Sequence, residues 1–537
     1  MSRSGVTDKS PYARNTRRVW SRADAWAKQG RMVAAQQVSS IQVTNPNTGE
    51  PVGAVADQSP AEVDAAVARA RVASRRWGAL SHGERRAQLM AFRRGLANDA
   101  ATLADLIHRE TGKPALDAMA EVLLAIQHVH HAADRAEVVL ASKVVSSGIM
   151  ANFRSTISHA PLGVIGVIGP WNYPIFTPMG SIAYALAAGN AVVFKPSELT
   201  PLVALHVAEV AAHTLAIPDV LQVVTGRGAT GNALVRAQVD KLAFTGSPAT
   251  GRKVMIAAAE RLTPVLLELG GKDPMIVQGD ADLDKAAEAA VFGAMTNAGQ
   301  ACVSIERCYV VASVYDRFVD KVVEEAQALR IGDDTRAHIG HITLPSQVDI
   351  IRRHLDDATR KGAKVLVGGA DKIDGNAVPP TVLIDVTPDM LVMSEETFGP
   401  ILPIMRVHDS EDALRHANAT KYGLGAAVFG KSGVRELAER IVSGMTSINA
   451  VIAFGAIPSL PFGGVGESGF GRIHGDRGLE EFTRIKSVTE QRFALPMNLL
   501  SFKNGPGTYD QLHGLITKLY GSPLVDKARA LWRRFTP

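Results

Sequence analysis

The chain has 537 residues, 46% of them hydrophobic and 21% charged, with 58 Lys and Arg against 53 Asp and Glu for a net charge of +5. That length suits two or three domains with large cores, and the composition is ordinary for a globular protein. It excludes a disulfide framework, since Cys302 and Cys308 are the only cysteines. It also excludes a membrane span, since no apolar run reaches about 18 residues, and a nucleic-acid binder, since the basic residues do not recur with interleaved aromatics.

Residues 1–40 form a basic arm, with eight basic against two acidic side chains in residues 1–32. It reads as a solvated tail, with a membrane-touching or targeting segment as the alternative. No signal-peptide pattern is present and cysteine is scarce, so a cytoplasmic location is expected. The body opens near residue 41. Ser59-Pro60-Ala61-Glu62 and Ser81-His82-Gly83-Glu84 fit capping boxes and predict helices over about 60–76 and 84–110. Gly112 suits a helix stop, and a third helical pattern spans about 115–140. His128, His130 and His131 fall within it without metal-ligand spacing, so they read as helix surface and no metal is expected.

From Val144 the pattern changes, and 149–157 alternates like a protruding strand pair. Short apolar runs at Val164–Ile168, Ala191–Phe194, Leu221–Val224 and Leu242–Phe244 then alternate with helical stretches, the signature of parallel α/β construction. A second α/β block spans about 270–460, with strand-like Pro274–Val277, Tyr309–Val311, Leu402–Met405 and Ala426–Phe429. Beyond Ser522-Pro523, apolar residues at helical spacing between Lys527, Arg529, Arg533 and Arg534 predict a basic amphipathic helix. Such a helix packs on its own protein or a partner subunit, or lies on a membrane surface.

Cys302 sits among Asn297, Gly299, Gln300 and Ser304, where backbone can approach a ligand, and reads as a candidate nucleophile. Cys308 precedes an apolar strand and reads as a buried residue. Glu268 ends the run Pro264–Leu267 before Gly270-Gly271, as a general base or a salt-bridge partner. Asn172, in the turn Gly169-Pro170-Trp171-Asn172, has an amide suited to an oxyanion. Lys195 and Glu198 end the next strand, where ribose hydroxyls bind in dinucleotide folds, and Glu198 would repel a 2′-phosphate. Two glycine patterns compete for phosphates. Gly464–Gly469 spells G-x-G-x-x-G but lacks a strand before it and a helix directly after it, so it reads as a loop. Gly246-Ser247 through Gly251 lies between a strand and a helix, where a helix N-terminus holds a pyrophosphate.

Together these residues resemble the aldehyde dehydrogenase superfamily over about 40–490. The ordered motifs are Pro170-Trp171-Asn172-Tyr173-Pro174, Lys195-Pro196-Ser197-Glu198, Phe244-Thr245-Gly246-Ser247, Glu268-Leu269-Gly270-Gly271-Lys272, Gly299-Gln300-Ala301-Cys302, Glu395-Glu396-Thr397-Phe398-Gly399-Pro400 and Pro461-Phe462-Gly463-Gly464. The resemblance implies an α/β fold with two parallel-sheet domains and a β oligomerisation arm. It places a Rossmann-type cofactor domain at 41–140 and 161–268, a catalytic domain at 269–460, the arm at 141–160 and 480–495, and a C-terminal extension at 496–537. It implies Cys302 as nucleophile, Glu268 as base and Asn172 as oxyanion donor. It implies cofactor contacts at Trp171, Lys195, Glu198, Gly228, Gly246, Ser247, Gly251, Leu269, Glu396 and Phe398. NAD is the expected cofactor, with NADP as the alternative, and a homodimer or homotetramer is the expected assembly.

The string Asn297–Arg307 is most similar to bacterial succinate-semialdehyde dehydrogenases. Better-known members of that class carry an arginine six residues before the cysteine, suited to a substrate carboxylate, and Thr296 stands there. Medium- or long-chain aliphatic or aromatic aldehydes are the alternative. A catalytically retired, membrane-associated scaffold is a further alternative, although none of the catalytic residues is lost.

Overall fold

The computed structural model describes residues 39–334, 336–495, 497–521 and 523. The basic arm and the C-terminal amphipathic pattern therefore lie almost wholly outside the described residues. Among the described residues, no helix is long and apolar enough to cross a membrane.

Two large sheets dominate. The first has six strands in the order Gly469–Phe470, Val265–Glu268, Lys241–Thr245, Val164–Ile168, Ala191–Lys195 and Leu221–Val223. All neighbours are parallel except the edge pair, where Gly469 lies opposite Glu268. Val164–Ile168 and Ala191–Lys195 are buried at every residue, which explains why they appear as continuous apolar runs rather than alternating ones. The second sheet has seven strands, with Asp273–Val277 and Ile305–Val311 near its centre, and is antiparallel only at Lys364–Val367 against Thr381–Ile384. A three-stranded antiparallel sheet joins Lys143–Val145, Phe153–Pro161 and Thr483–Gln491. This is the expected α/β architecture of two mostly parallel sheets with a β arm.

Both capping boxes form: Ser59 and Glu62 close one helix start, and Ser81 and Glu84 the other. Gly112 caps a helix in the left-handed conformation at φ 78°. The single helix expected over 84–110 is instead two, His82–Asn98 and Ala100–Thr111, broken at Asp99 with φ −99° and ψ 12°. Asn and Asp are weak interior helix residues, and the apolar pattern runs through the break without marking it. Gly464–Gly469 is a loop with a short 3-10 turn leading into the edge strand, as its context required.

The histidine-rich helix Ala115–Val139 differs from expectation. His128 is buried, not on the surface; its ring lies 3.9 Å from that of His474, tilted by 33°, and 5.3 Å from Phe176. Burial holds its imidazole down to about 3, so it is neutral there. Helical periodicity identifies a face, but packing decides that His128 lies on the inner one.

Candidate active site

The first strand, Val164–Ile168, has Ala191–Lys195 on one side and Lys241–Thr245 on the other. Strand order reverses there, and the crevice at the carboxyl ends of such strands is where ligands of α/β sheets bind. A cavity of about 750 Å³ opens at that point. It is lined by Cys302, Glu268 and Asn172, and by Trp171, Lys195, Glu198, Gly228, Gly246, Ser247, Leu269, Glu396 and Phe398. Of the residues expected to be catalytic or to contact cofactor, Gly251 alone is not in the lining; it lies behind, packed under the Leu269 side chain.

Cys302 is presented by a constrained turn. Asn297, Ala298 and Gly299 take φ of 50°, 55° and 71° in succession. Any side chain at Gly299 would overlap the Gly399 carbonyl, so the turn is pressed against the loop that carries Phe398. Backbone held in this region costs free energy and recurs where a functional group must be aimed. Asn172 Nδ2 donates to the Gln300 carbonyl at 2.9 Å, and Asn297 Nδ2 donates to the Gln300 and Asn172 carbonyls, each at 3.1 Å.

Glu268 is 2% exposed and neither of its oxygens has a normal hydrogen-bond partner. Burial pushes its carboxyl up to about 8; the nearby Cys302 thiol holds it down, and Asp273 pushes it further up. Cys302 is half-buried by area. Burial, then the Glu268 and Asp273 carboxyls, hold its thiol well above the ordinary range. The pair therefore rests as a protonated thiol beside an acid that ionises near neutral pH, the range suited to a general base.

The other end of the cavity suits a dinucleotide. Ser247 caps the helix Pro248–Ala259, its hydroxyl accepting from Thr250 N at 3.3 Å. Ser247, Thr250 and Lys253 line the cavity beside that helix start, so hydroxyl donors, a cation and a helix N-terminus meet where a pyrophosphate would lie. Lys195 is buried and its Nζ lies 3.3 Å from Glu198 Oε2; burial lowers its ammonium from the usual value. At the near end, Glu396 Oε1 accepts from Gly271 N at 3.0 Å, and Trp171 meets Phe398 edge-on at 5.5 Å.

Several supporting residues escaped the sequence reading. Glu306 accepts from Thr397 N at 2.7 Å, Phe398 N at 2.8 Å and Lys272 Nζ at 2.6 Å. It thereby sets the loop of Glu396 and Phe398. Lys113 Nζ donates to Glu121 Oε2 and to the Asn172 carbonyl, both at 2.7 Å, and lies 4.0 Å above the Tyr173 ring. Glu121 Oε1 accepts from Ile175 N and Phe176 N. This ion pair is fully buried and clamps the Asn172 loop. Glu121 lies on the buried face of the helix Ala115–Val139, and Lys113 in the loop just before that helix.

Residues 32–488 match the model of the aldehyde dehydrogenase family. The chain is 37% identical to the 4,4'-diapolycopene aldehyde oxidase of Methylomonas sp over 490 residues, 90% of this chain and 92% of that protein. It is also 37% identical to the glutarate-semialdehyde dehydrogenase of Pseudomonas putida over 468 residues, 85% and 95% of the two chains. A crystal structure of an E. coli NADP dependent enzyme superposes with a TM-score of 0.82 at 37% identity, covering 86% of this chain and 97% of that one.

Proposed function

The chain belongs to the aldehyde dehydrogenase family, an NAD(P)-dependent oxidoreductase acting on aldehydes, and we propose that it makes carboxylic acids through a thioester on Cys302. The convergence of Cys302, Glu268 and Asn172 on one cavity with a dinucleotide-shaped far end carries this reading. Cys302 must lose its proton to attack, and Glu268 is the base beside it. As sulfur adds to the aldehyde carbon, charge develops on oxygen. Asn172 keeps one N–H on Gln300 and has a second for that oxygen, a preorganised donor. The nicotinamide, when bound, supplies the hydride acceptor that oxidises the adduct to the thioester. Glu268 then takes a proton from water, which hydrolyses the thioester and frees Cys302.

The cofactor is NAD or NADP for the family. Within our reading, Glu198 beside Lys195 disfavours a 2′-phosphate and so favours NAD.

For the substrate, we favour uncharged aldehydes. Lys113, the cation beside Tyr173, is fully committed to Glu121 and the Asn172 carbonyl. Thr296 and Asp117 are its polar companions around Tyr173, and neither offers a cation to a substrate carboxylate. Short semialdehydes are the second reading, favoured by the name of the Pseudomonas relative. For assembly, the exposed Ile485 and Val488 on the arm support a homodimer or homotetramer contact there. An aldehyde panel with NAD and NADP, run on wild type and Cys302→Ala, tests the reading; turnover that survives the substitution would sink it.

A further inference from the structure

Acidic side chains crowd the Gly270-Gly271 step beneath the reacting pair. Gly271 N donates to Glu396 Oε1 at 3.0 Å. A side chain at Gly270 would overlap the Glu396 carboxylate, and one at Gly271 would overlap the Cys302 carbonyl and press on Asp273 Oδ1 at 2.9 Å. Glu268, Glu396 and Asp273 thus surround two residues whose missing side chains make the room.

Asp273 has no evident reason to be there. It opens the strand Asp273–Val277, is 1% exposed, and is not in the cavity lining. Neither carboxyl oxygen has a full hydrogen bond, although the Gly425 N–H approaches. The nearby cations are occupied elsewhere. Lys272 pairs with Glu306 at 2.6 Å, and Arg307 donates to the Lys272, His416 and Ala417 carbonyls and the Tyr309 hydroxyl. A buried carboxyl without a partner costs stability, and such groups cluster where a neighbouring ionisation is being tuned.

We propose that Asp273 is a positioning residue for the Cys302–Glu268 pair, acting on it through its charge from behind the Gly270-Gly271 step. This rests on the roles given above to Cys302 and Glu268. Burial lifts the Asp273 carboxyl to about 8, the same as Glu268, with Glu306 adding to the rise and Arg307 opposing it. Lys272 and Glu396 are the remaining charges around this step, and both also act on neighbouring groups. Asp273 in turn opposes ionisation of both Glu268 and Cys302. Once Asp273 has lost its proton, the thiolate forms less readily, and the two carboxyls titrate as a coupled pair.

The test is the pH dependence of Cys302 alkylation by iodoacetamide in the full chain without cofactor, in wild type and Asp273→Asn. Cys302→Ala supplies the background, since Cys308 is fully buried. The Asn variant should move the alkylation midpoint down by about half a unit, so that the rate near pH 8 rises about threefold. The acid limb of kcat should move the same way, and Asp273→Glu should restore the wild-type midpoint. An unchanged midpoint in a folded Asn variant overturns the proposal. So does a uniform loss of rate with no shift along the pH axis, the mark of a merely structural role. Should the Asn variant fail to fold, Asp273→Ser is read by the same two criteria. Activity surviving in Cys302→Ala would instead remove the reading beneath it, a separate result.

Discussion

Asn172 Nδ2 donates to the Gln300 carbonyl at 2.9 Å, and Gln300 in turn receives the Thr343 N–H at 2.8 Å on its side-chain oxygen. The amide of Asn172 is therefore oriented before any substrate arrives, through a residue two positions from Cys302. On the proposed mechanism, replacing Asn172 with Ala removes the donor to the developing charge. A loss of about 10²–10³ in kcat with KM little changed is expected, read by steady-state kinetics. A loss confined to KM would mean that the amide binds substrate rather than the developing charge.

Glu268→Gln should separate acylation from hydrolysis. We expect a burst of reduced cofactor, itself slowed because Cys302 has lost its base, followed by still slower turnover, with a labelled acyl group retained on Cys302. In wild type, kcat should rise with pH through about 8, as the buried carboxyl ionises. The Gln variant should lose that limb. Stopped-flow absorbance across pH checks both.

The same carboxyl makes a stability prediction of defined sign. Its folded value, about 8, is above the ordinary 4.5. Between these values the folded state holds a proton that the unfolded chain has released, so this group's stabilisation is full below about 4.5 and declines as pH rises toward 8. Glu268→Gln should therefore melt higher than wild type above about pH 8, by roughly 1 °C for each 1 kcal/mol gained in a chain of this length. It should show no such gain near pH 4. Calorimetry at both ends of the window decides it.

Lys113→Met would leave the Glu121 carboxylate buried without its cation. Breaking such a pair from one side costs about 3–5 kcal/mol, measurable by denaturant unfolding. Because Lys113 also holds the Asn172 carbonyl, the burst rate should fall with it. Lys113→Met combined with Glu121→Gln should recover part of the stability, since no uncompensated charge remains.

Glu198→Gln should raise the efficiency with NADP relative to NAD by about tenfold, equivalent to about 1.4 kcal/mol. On the proposed reading, removing the carboxylate beside Lys195 removes the repulsion of a 2′-phosphate and frees the ammonium to meet it. An unchanged ratio would place the discrimination on other residues of the cavity.

The sequence by itself determined the architecture and the reaction class. Val164–Ile168 and Ala191–Lys195 were legible because a strand buried on both faces is a continuous apolar run, and the helix starts at Ser59 and Ser81 because capping is local chemistry. Cys302, Glu268 and Asn172 stand out as types at fixed spacings in an ordered set of motifs, and they line one cavity. Tertiary structure decided what depends on which surfaces face inward. It broke a helix at Asp99, turned His128 into an aromatic cluster, and joined Lys113 and Glu121 into a buried clamp on the Asn172 loop. It also left Asp273 buried behind Cys302 with only the Gly425 N–H approaching it. A charged residue carries the same letter whether solvated or buried; its energy, and hence its role, is set by the groups that the fold brings or fails to bring within a few ångströms of it.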